Sequence, residues 1–232
     1  MNLKDVAKNW LPPGLILILK KISGRGVNFS GIYANWEDAQ RRATGYGDNA
    51  IFEKVKEAML KVKNGEARFE RDSVLFDDMQ HSFPVLAGLL KSAVENKNSL
   101  SVLDFGGSLG SSYYQAREFL GDRLMIKWGI VEQAHFVQSG KAEFETSELK
   151  FFFTISDCIS KIKPNIVLLS SVLQYLSDPY SILDEIIKNN LKYIIIDECQ
   201  DTSPVQMDIF LSLLGNESKG LILVGDPKQS IY

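Results

Sequence analysis

Short β-branched runs alternating with helical segments predict an α/β fold. The expected architecture is a Rossmann-like parallel sheet with an N-terminal helical cap and an atypical C-terminal end. Three observations carry this. From Asn96–Ser99 onward the chain repeats strand, loop, helix. Residues 101–110, Ser-Val-Leu-Asp-Phe-Gly-Gly-Ser-Leu-Gly, run a strand into a glycine loop. Glu132 then stands at the end of the next strand, 22 residues after Gly110.

The elements follow in order. Residues 1–30 form an N-terminal arm with Pro12-Pro13, an apolar run and a Gly/Ser turn region. Residues 31–98 read as the helical cap, with helices over 35–43 and 49–63. In the second, Ile51, Phe52, Val55, Met59 and Val62 recur at helical spacing, and Asn64-Gly65 stops it. Residues 73–95 read as two helical pieces, with Pro84 in the first turn of the second. The core spans 99–197. Its expected strands are Leu100–Phe105, Met125–Val131, Phe151–Phe153, Ile166–Ser170 and Tyr193–Ile196. Its expected helices are Ser112–Leu120, His135–Glu143, Ser156–Lys161 and Pro179–Asn189. Residues 198–232 form a separate tail.

Bulk composition narrows the classes. Apolar content of 45%, charged content of 24% and a net charge of −3 suit a globular protein and give no basic footprint for nucleic acid. Two cysteines, Cys158 and Cys199, form neither a disulfide framework nor a metal-ligand pattern, which points to a reducing cytoplasm and no metal site. The apolar run in residues 10–21 is too short to span a membrane. With Lys20-Lys21 after it, it suits a helix packed on the domain or, less readily, a peripheral membrane contact.

The glycine loop is the candidate site. Gly106, Gly107 and Gly110 permit unusual dihedrals and a close backbone approach to a ligand. Glu132 can accept hydrogen bonds from both ribose hydroxyls of an adenosine. Asp104 beside the loop disfavours phosphate and suits a cationic amine or sulfonium, favouring S-adenosylmethionine over a dinucleotide. His135 and His81 are weak candidates for a general base, and Glu70, Asp72, Asp77 and Asp78 are others; solvated or capping roles explain most of them more simply.

The loop, the Val-Glu-Gln after the second strand, and Ser170-Ser-Val-Leu-Gln-Tyr-Leu-Ser-Asp-Pro179 resemble class I S-adenosylmethionine methyltransferases. More narrowly, Trp36-Glu-Asp-Ala-Gln, Lys54-Val-Lys-Glu-Ala, Lys61-Val-Lys-Asn-Gly-Glu-Ala, Glu70-Arg-Asp-Ser-Val-Leu-Phe-Asp and Pro84-Val-Leu-Ala-Gly-Leu-Leu resemble a bacterial methyltransferase family found among surface-polysaccharide genes. The resemblance spans about residues 30–197; Ser108 departs from the glycine common there. It implies that Asp104 and Gly106 through Ser108 to Gly110 cradle the methionine part of S-adenosylmethionine. Glu132 would hold the ribose, Asp157 would lie near the adenine, and Ser170 and Ser171 would floor the site. It further implies a methyl acceptor that is a sugar or glycan precursor; with no basic footprint, no nucleic-acid partner is expected.

A second resemblance lies in the tail. Asp197-Glu-Cys-Gln-Asp-Thr-Ser-Pro-Val-Gln206 and Leu223-Val-Gly-Asp-Pro-Lys-Gln-Ser-Ile-Tyr232 resemble the Walker B and following motif of UvrD/Rep-type DNA helicases, over about 35 residues. That implies a magnesium role for Asp197–Glu198 and a γ-phosphate sensor at Gln229. No Gly-x-x-x-x-Gly-Lys-Ser/Thr occurs in the chain, so ATP turnover is not expected. The sequence therefore reads as a join at Asp197, with a helix at Val205–Leu214 and a strand at Leu221–Val224 replacing the usual closing strands. The alternatives to a methyltransferase are a fragment of a UvrD-type helicase and a cofactor-binding fold without activity.

Overall fold

The structure, a computed structural model, describes residues 33–41, 49–71, 73–79, 81–189, 191–199 and 220–225. The arm at 1–30 with the apolar run weighed as a membrane contact, Asp72, the helix expected at 205–214 and the segment around Gln229 lie outside the described residues. The chain divides into two compact units, 1–44 and 45–232. In the first, α1 (Trp36–Gln40) is started by Asn35, whose side chain accepts a hydrogen bond from the Asp38 N–H at 2.9 Å.

The second unit is built on a six-stranded parallel sheet. Its strands are β3 (Ser99–Phe105), β4 (Met125–Val131), β5 (Leu149–Phe152), β6 (Ile166–Ser170), β7 (Tyr193–Asp197) and β8 (Gly220–Leu223), in the spatial order β5-β4-β3-β6-β7-β8. The inner strands β3, β6 and β7 are buried on both faces, and alternate residues serve opposite layers. Val102, Trp128, Leu168 and Ile195 face α2 (Asn49–Lys63), α3 (Phe83–Glu95) and α4 (Ser111–Leu120). Leu103, Val167, Ile194 and Ile196 face α6 (Ile155–Ile162) and α7 (Pro179–Lys188). On the first of these faces, α5 (Ala134–Ser139) follows β4 and continues as a wider π-turn to Phe144, burying Phe136, Val137 and Phe144.

Two departures from expectation matter. Residues 69–76 form a hairpin, β1 (Phe69–Arg71) and β2 (Val74–Phe76), where the sequence pattern predicts the start of a helical piece at 73. Val74-Leu75-Phe76 is a β-prone triplet, Ser73 takes the left-handed conformation that closes a tight turn, and the Phe69 and Phe76 rings meet at 5.9 Å across it. The last strand, expected over Leu221–Val224, is present one residue earlier and pairs parallel to β7, so the tail extends the sheet.

The chain runs outward through β3, β4 and β5, then returns to lay β6 against the other side of β3. Strand order therefore reverses between β3 and β6, and the loops leaving these strands diverge there. In open α/β sheets this is where a ligand crevice opens.

Candidate functional site

A cavity of about 900 Å³ lies at the carboxyl edge of the sheet, a volume suited to a nucleotide-sized ligand. Each strand from β3 to β7 sends residues to it from its carboxyl end. Phe105, Gly106 and Ser108 come from β3 and its loop, Glu132 follows β4, Phe153 and Thr154 follow β5, Ser170 and Ser171 close β6, and Asp197 and Glu198 close β7. The hairpin adds Phe69, Glu70 and Arg71 as a further wall.

Left-handed backbone marks this edge. Gly106 (φ 75°), Ser108 (φ 53°), Ser171 (φ 50°) and Glu198 (φ 59°) all line the cavity. For the three residues that carry a side chain this conformation is costly, and such strain concentrates where a site must hold a particular geometry. Gly106 is required on two counts: its positive φ, and Val172, whose side chain would collide with any Cβ placed there.

Each expected site residue has a defined place. Gly106, Ser108, Glu132, Ser170 and Ser171 line the cavity. Burial pushes the Glu132 carboxyl up, against hydrogen bonds from the Gln133 and Ser108 N–H groups that hold it down. It therefore ties the glycine loop to the end of β4. Gly107 and Gly110 shape the loop from outside the cavity lining, and the Gly110 N–H donates to the Gly107 carbonyl at 3.0 Å.

Asp104, expected to cradle a ligand, turns away from the cavity into the core, where it is 1% exposed. Its Oδ2 accepts from the Trp128 indole N–H at 2.9 Å, while Oδ1 has no partner. Its carboxyl sits directly under Gly107, 2.5 Å from where a Cβ would project. Burial raises its pKa to about 7; the Trp128 bond opposes that rise and the charge of Glu132 adds to it. Asp157 is exposed on α6 and absent from the lining; Thr154, whose hydroxyl accepts from the Asp157 N–H, lines the cavity in its place.

The histidines do not reach the cavity. His135 lies against Phe52 and Phe136, and His81 against Phe83 and Phe119, each with one buried ring nitrogen unpartnered. Asp77 and Asp78 are exposed and also outside it. Glu70 is in the wall but fully engaged: Oε1 accepts from the Ser73 N–H at 2.6 Å and Oε2 from the Ser111 hydroxyl at 2.5 Å.

At the β7 end, Asp197 faces the cavity. Its Oδ1 accepts from the Glu198 N–H at 3.1 Å and its Oδ2 from the Ser170 hydroxyl at 3.4 Å. Burial raises its pKa, the Glu198 N–H lowers it, the Glu198 charge raises it, and Ser170 and Arg71 lower it. Nothing in the linear pattern shows that Asp197 and the glycine loop share one cavity, or that Arg71 joins them. A clue to Arg71 does exist in Phe69-Glu-Arg-Asp-Ser-Val-Leu-Phe76, whose two phenylalanines bracket a polar turn as a short hairpin requires.

Comparison with known proteins corrects the family reading. The family model for the UvrD/REP helicase N-terminal domain matches residues 134–232, less than half of the chain. The ATP-dependent DNA helicase SRS2 of Saccharomyces cerevisiae is 49% identical over 47 residues, covering 19% of this chain and 4% of that protein. The RecBCD enzyme subunit RecB of Buchnera aphidicola is 52% identical over 50 residues, 22% of this chain and 4% of that protein. The ATP-dependent DNA helicase srs2 of Schizosaccharomyces pombe is 49% identical over 43 residues, 18% of this chain and 5% of that protein. The chain thus spans a few per cent of the length of these relatives. No solved structure matches it.

These matches overturn the expected methyltransferase family and enzyme activity, with the polysaccharide-linked role and the glycan-acceptor, no-nucleic-acid partners. They also move the helicase boundary: the match begins at residue 134, well inside the body, and takes in β5, β6 and β7 rather than the last 35 residues alone. The physical reason is that a glycine turn after one strand and an acid after the next meet the needs of adenosine-type ligands in general and specify no reaction. Among the described residues, no helix is long and apolar enough to cross a membrane.

Proposed function

We propose that this chain is a UvrD/REP-type helicase segment that holds a magnesium-bound nucleoside triphosphate at the edge of its sheet, and that the protein it serves acts on DNA. The observation that carries this is the placement of Asp197 and Glu198 in the same 900 Å³ cavity as the glycine loop. The family match over residues 134–232 and the DNA helicases among the relatives support it.

The donor set suits magnesium, which takes hard oxygen ligands and is bound through one or two carboxylates together with substrate phosphates. Asp197 and Glu198 would hold the ion, which when bound neutralises phosphate charge. Ser170 and the Glu198 N–H keep the Asp197 carboxylate oriented. Glu132 lines the same cavity and is available to the ribose hydroxyls. Hydrolysis by the isolated chain is expected to be slow, because the glycine loop has no lysine.

A second reading concerns the ligand. Five carboxylates, Glu70, Glu132, Glu185, Asp197 and Glu198, line the cavity against one cationic side chain, Arg71, among the described residues. That balance favours a cationic ligand, so S-adenosylmethionine bound at Gly106–Gly110 and Glu132, without an assigned reaction, is the alternative occupant. Calorimetric titration of the full chain with magnesium-ATP and with S-adenosylhomocysteine separates the two. Binding of magnesium-ATP that Asp197→Asn weakens at least tenfold is the expected result. Binding of S-adenosylhomocysteine alone overturns the nucleotide reading in favour of the second.

A further inference from the structure

We propose that Arg71, on the β1–β2 hairpin, recognises the terminal phosphates of the bound nucleotide and takes the place of the lysine that the glycine loop lacks. The inference rests on the nucleotide reading above and deepens it by naming the anion-binding residue.

A triphosphate carries more negative charge than one magnesium ion cancels, and the other charged side chains in the described lining are all acidic. Without a cation the triphosphate end would be repelled. Arg71 is the one cationic side chain in that lining, and it shares it with Gly106, Ser108, Asp197 and Glu198. Guanidinium is suited to the task because its planar fork donates two parallel hydrogen bonds to a phosphate.

Arg71 is also held where it can act. Its neighbour Glu70 anchors the hairpin to the first turn of α4, immediately after the glycine loop, through the Ser111 hydroxyl at 2.5 Å, and braces the turn through the Ser73 N–H at 2.6 Å. The Arg71 guanidinium lies 5.9 Å from the centre of the Phe69 ring, which is itself 5% exposed and therefore a fixed support. Among the described residues no carboxylate engages it in an ion pair. Arg71 and Asp197 line the same cavity at the carboxyl end of the sheet.

The test is calorimetric titration of the full chain and of Arg71→Ala and Arg71→Lys, each with adenosine, AMP, ADP and ATP in magnesium. In the wild type, affinity is expected to rise from adenosine to ATP. Arg71→Ala should weaken ATP at least tenfold and leave adenosine unchanged, and Arg71→Lys should restore part of the loss. Because Arg71 is an exposed side chain, both variants are expected to melt like the wild type. Equal losses for adenosine and ATP would assign Arg71 a structural role and overturn the inference. Unchanged ATP affinity in Arg71→Ala would overturn it while leaving the nucleotide reading intact. Failure of the wild type to bind any of the four would remove that reading and the inference together.

Discussion

Asp104 and Asp197 are the same residue type on the same face of the same sheet, near the carboxyl ends of β3 and β7, and they do opposite things. Strand register explains it. Asp104 is level with Leu168, and Leu168 with Ile195. Asp197, level with Ser170, stands two residues further along, roughly 6.6 Å nearer the edge at the rise of a parallel strand. That distance moves a carboxylate from a sealed core to the cavity wall. Asp104 lies under the glycine loop with Trp128 as partner and one oxygen unsatisfied. Asp197 is bonded by Ser170 and Glu198 and faces open space. The lesson is that a strand-terminal aspartate in a nucleotide-type motif serves the fold or the ligand according to its depth.

If the β3 edge is structural and the β7 edge is ligand-facing, substitutions should divide along that line. The largest effect is expected from Gly106→Ala, which forces a side chain into left-handed backbone and against Val172. It should cost about 4 kcal/mol in urea denaturation, combining the conformational penalty with overpacking. A cost below ~1 kcal/mol would mean the loop is not built as described.

Asp104→Asn comes next, and its sign depends on pH. The carboxyl titrates at about 7 when folded against an ordinary 3.8, so the folded state binds the proton more tightly. Stability is therefore fullest below pH ~4, falls as the unfolded chain ionises, and has lost this contribution once pH passes about 7. Replacing the group by a neutral amide should stabilise at pH 8 by on the order of 3 kcal/mol, and by less at pH 5. Equal effects at the two pH values would show that Asp104 is not buried as a proton-bearing group.

Asp197→Asn should behave in the opposite way. We expect magnesium-ATP affinity to fall at least tenfold, about 1.4 kcal/mol, with the denaturation midpoint nearly unchanged. A large loss of stability without loss of binding would merge the two aspartates into one structural class. Glu198→Gly, which relieves left-handed backbone without touching the core, should stabilise by up to about 1 kcal/mol while weakening nucleotide binding. Ser170→Ala, removing a bond of 3.4 Å to Asp197, should change stability by no more than ~0.5 kcal/mol in the same denaturation assay.

Much of the sheet is legible in the chain because parallel strands buried on both faces read as continuous apolar runs. Met125–Val131 and Ile166–Ser170 match their expected bounds to the residue, and the tail strand lies within one residue of its own. The hairpin at 69–76 leaves only the faint signal of Phe69 and Phe76 bracketing a turn, since a three-residue strand is too short to show a period and Ser73 offers no glycine signal. The turn at Gly106 and the strand end at Glu132, both on the cavity wall, are legible because each is local: one turn, one strand end. The ligand class is not, because a glycine loop and a following acid serve several adenosine ligands equally.

The amino-acid sequence by itself determined the alternation of strands and helices, the position of the glycine loop, and the Asp197–Glu198 string that resembles the helicase motif. These depend on residues within one turn or one strand of each other. Only the tertiary structure decided that Asp104 is sealed and Asp197 open, that the histidines miss the cavity, and that Arg71 shares one cavity with the glycine loop and the end of β7. Those facts depend on register between strands far apart in the chain and on a hairpin folded back over the sheet edge, which no local pattern encodes.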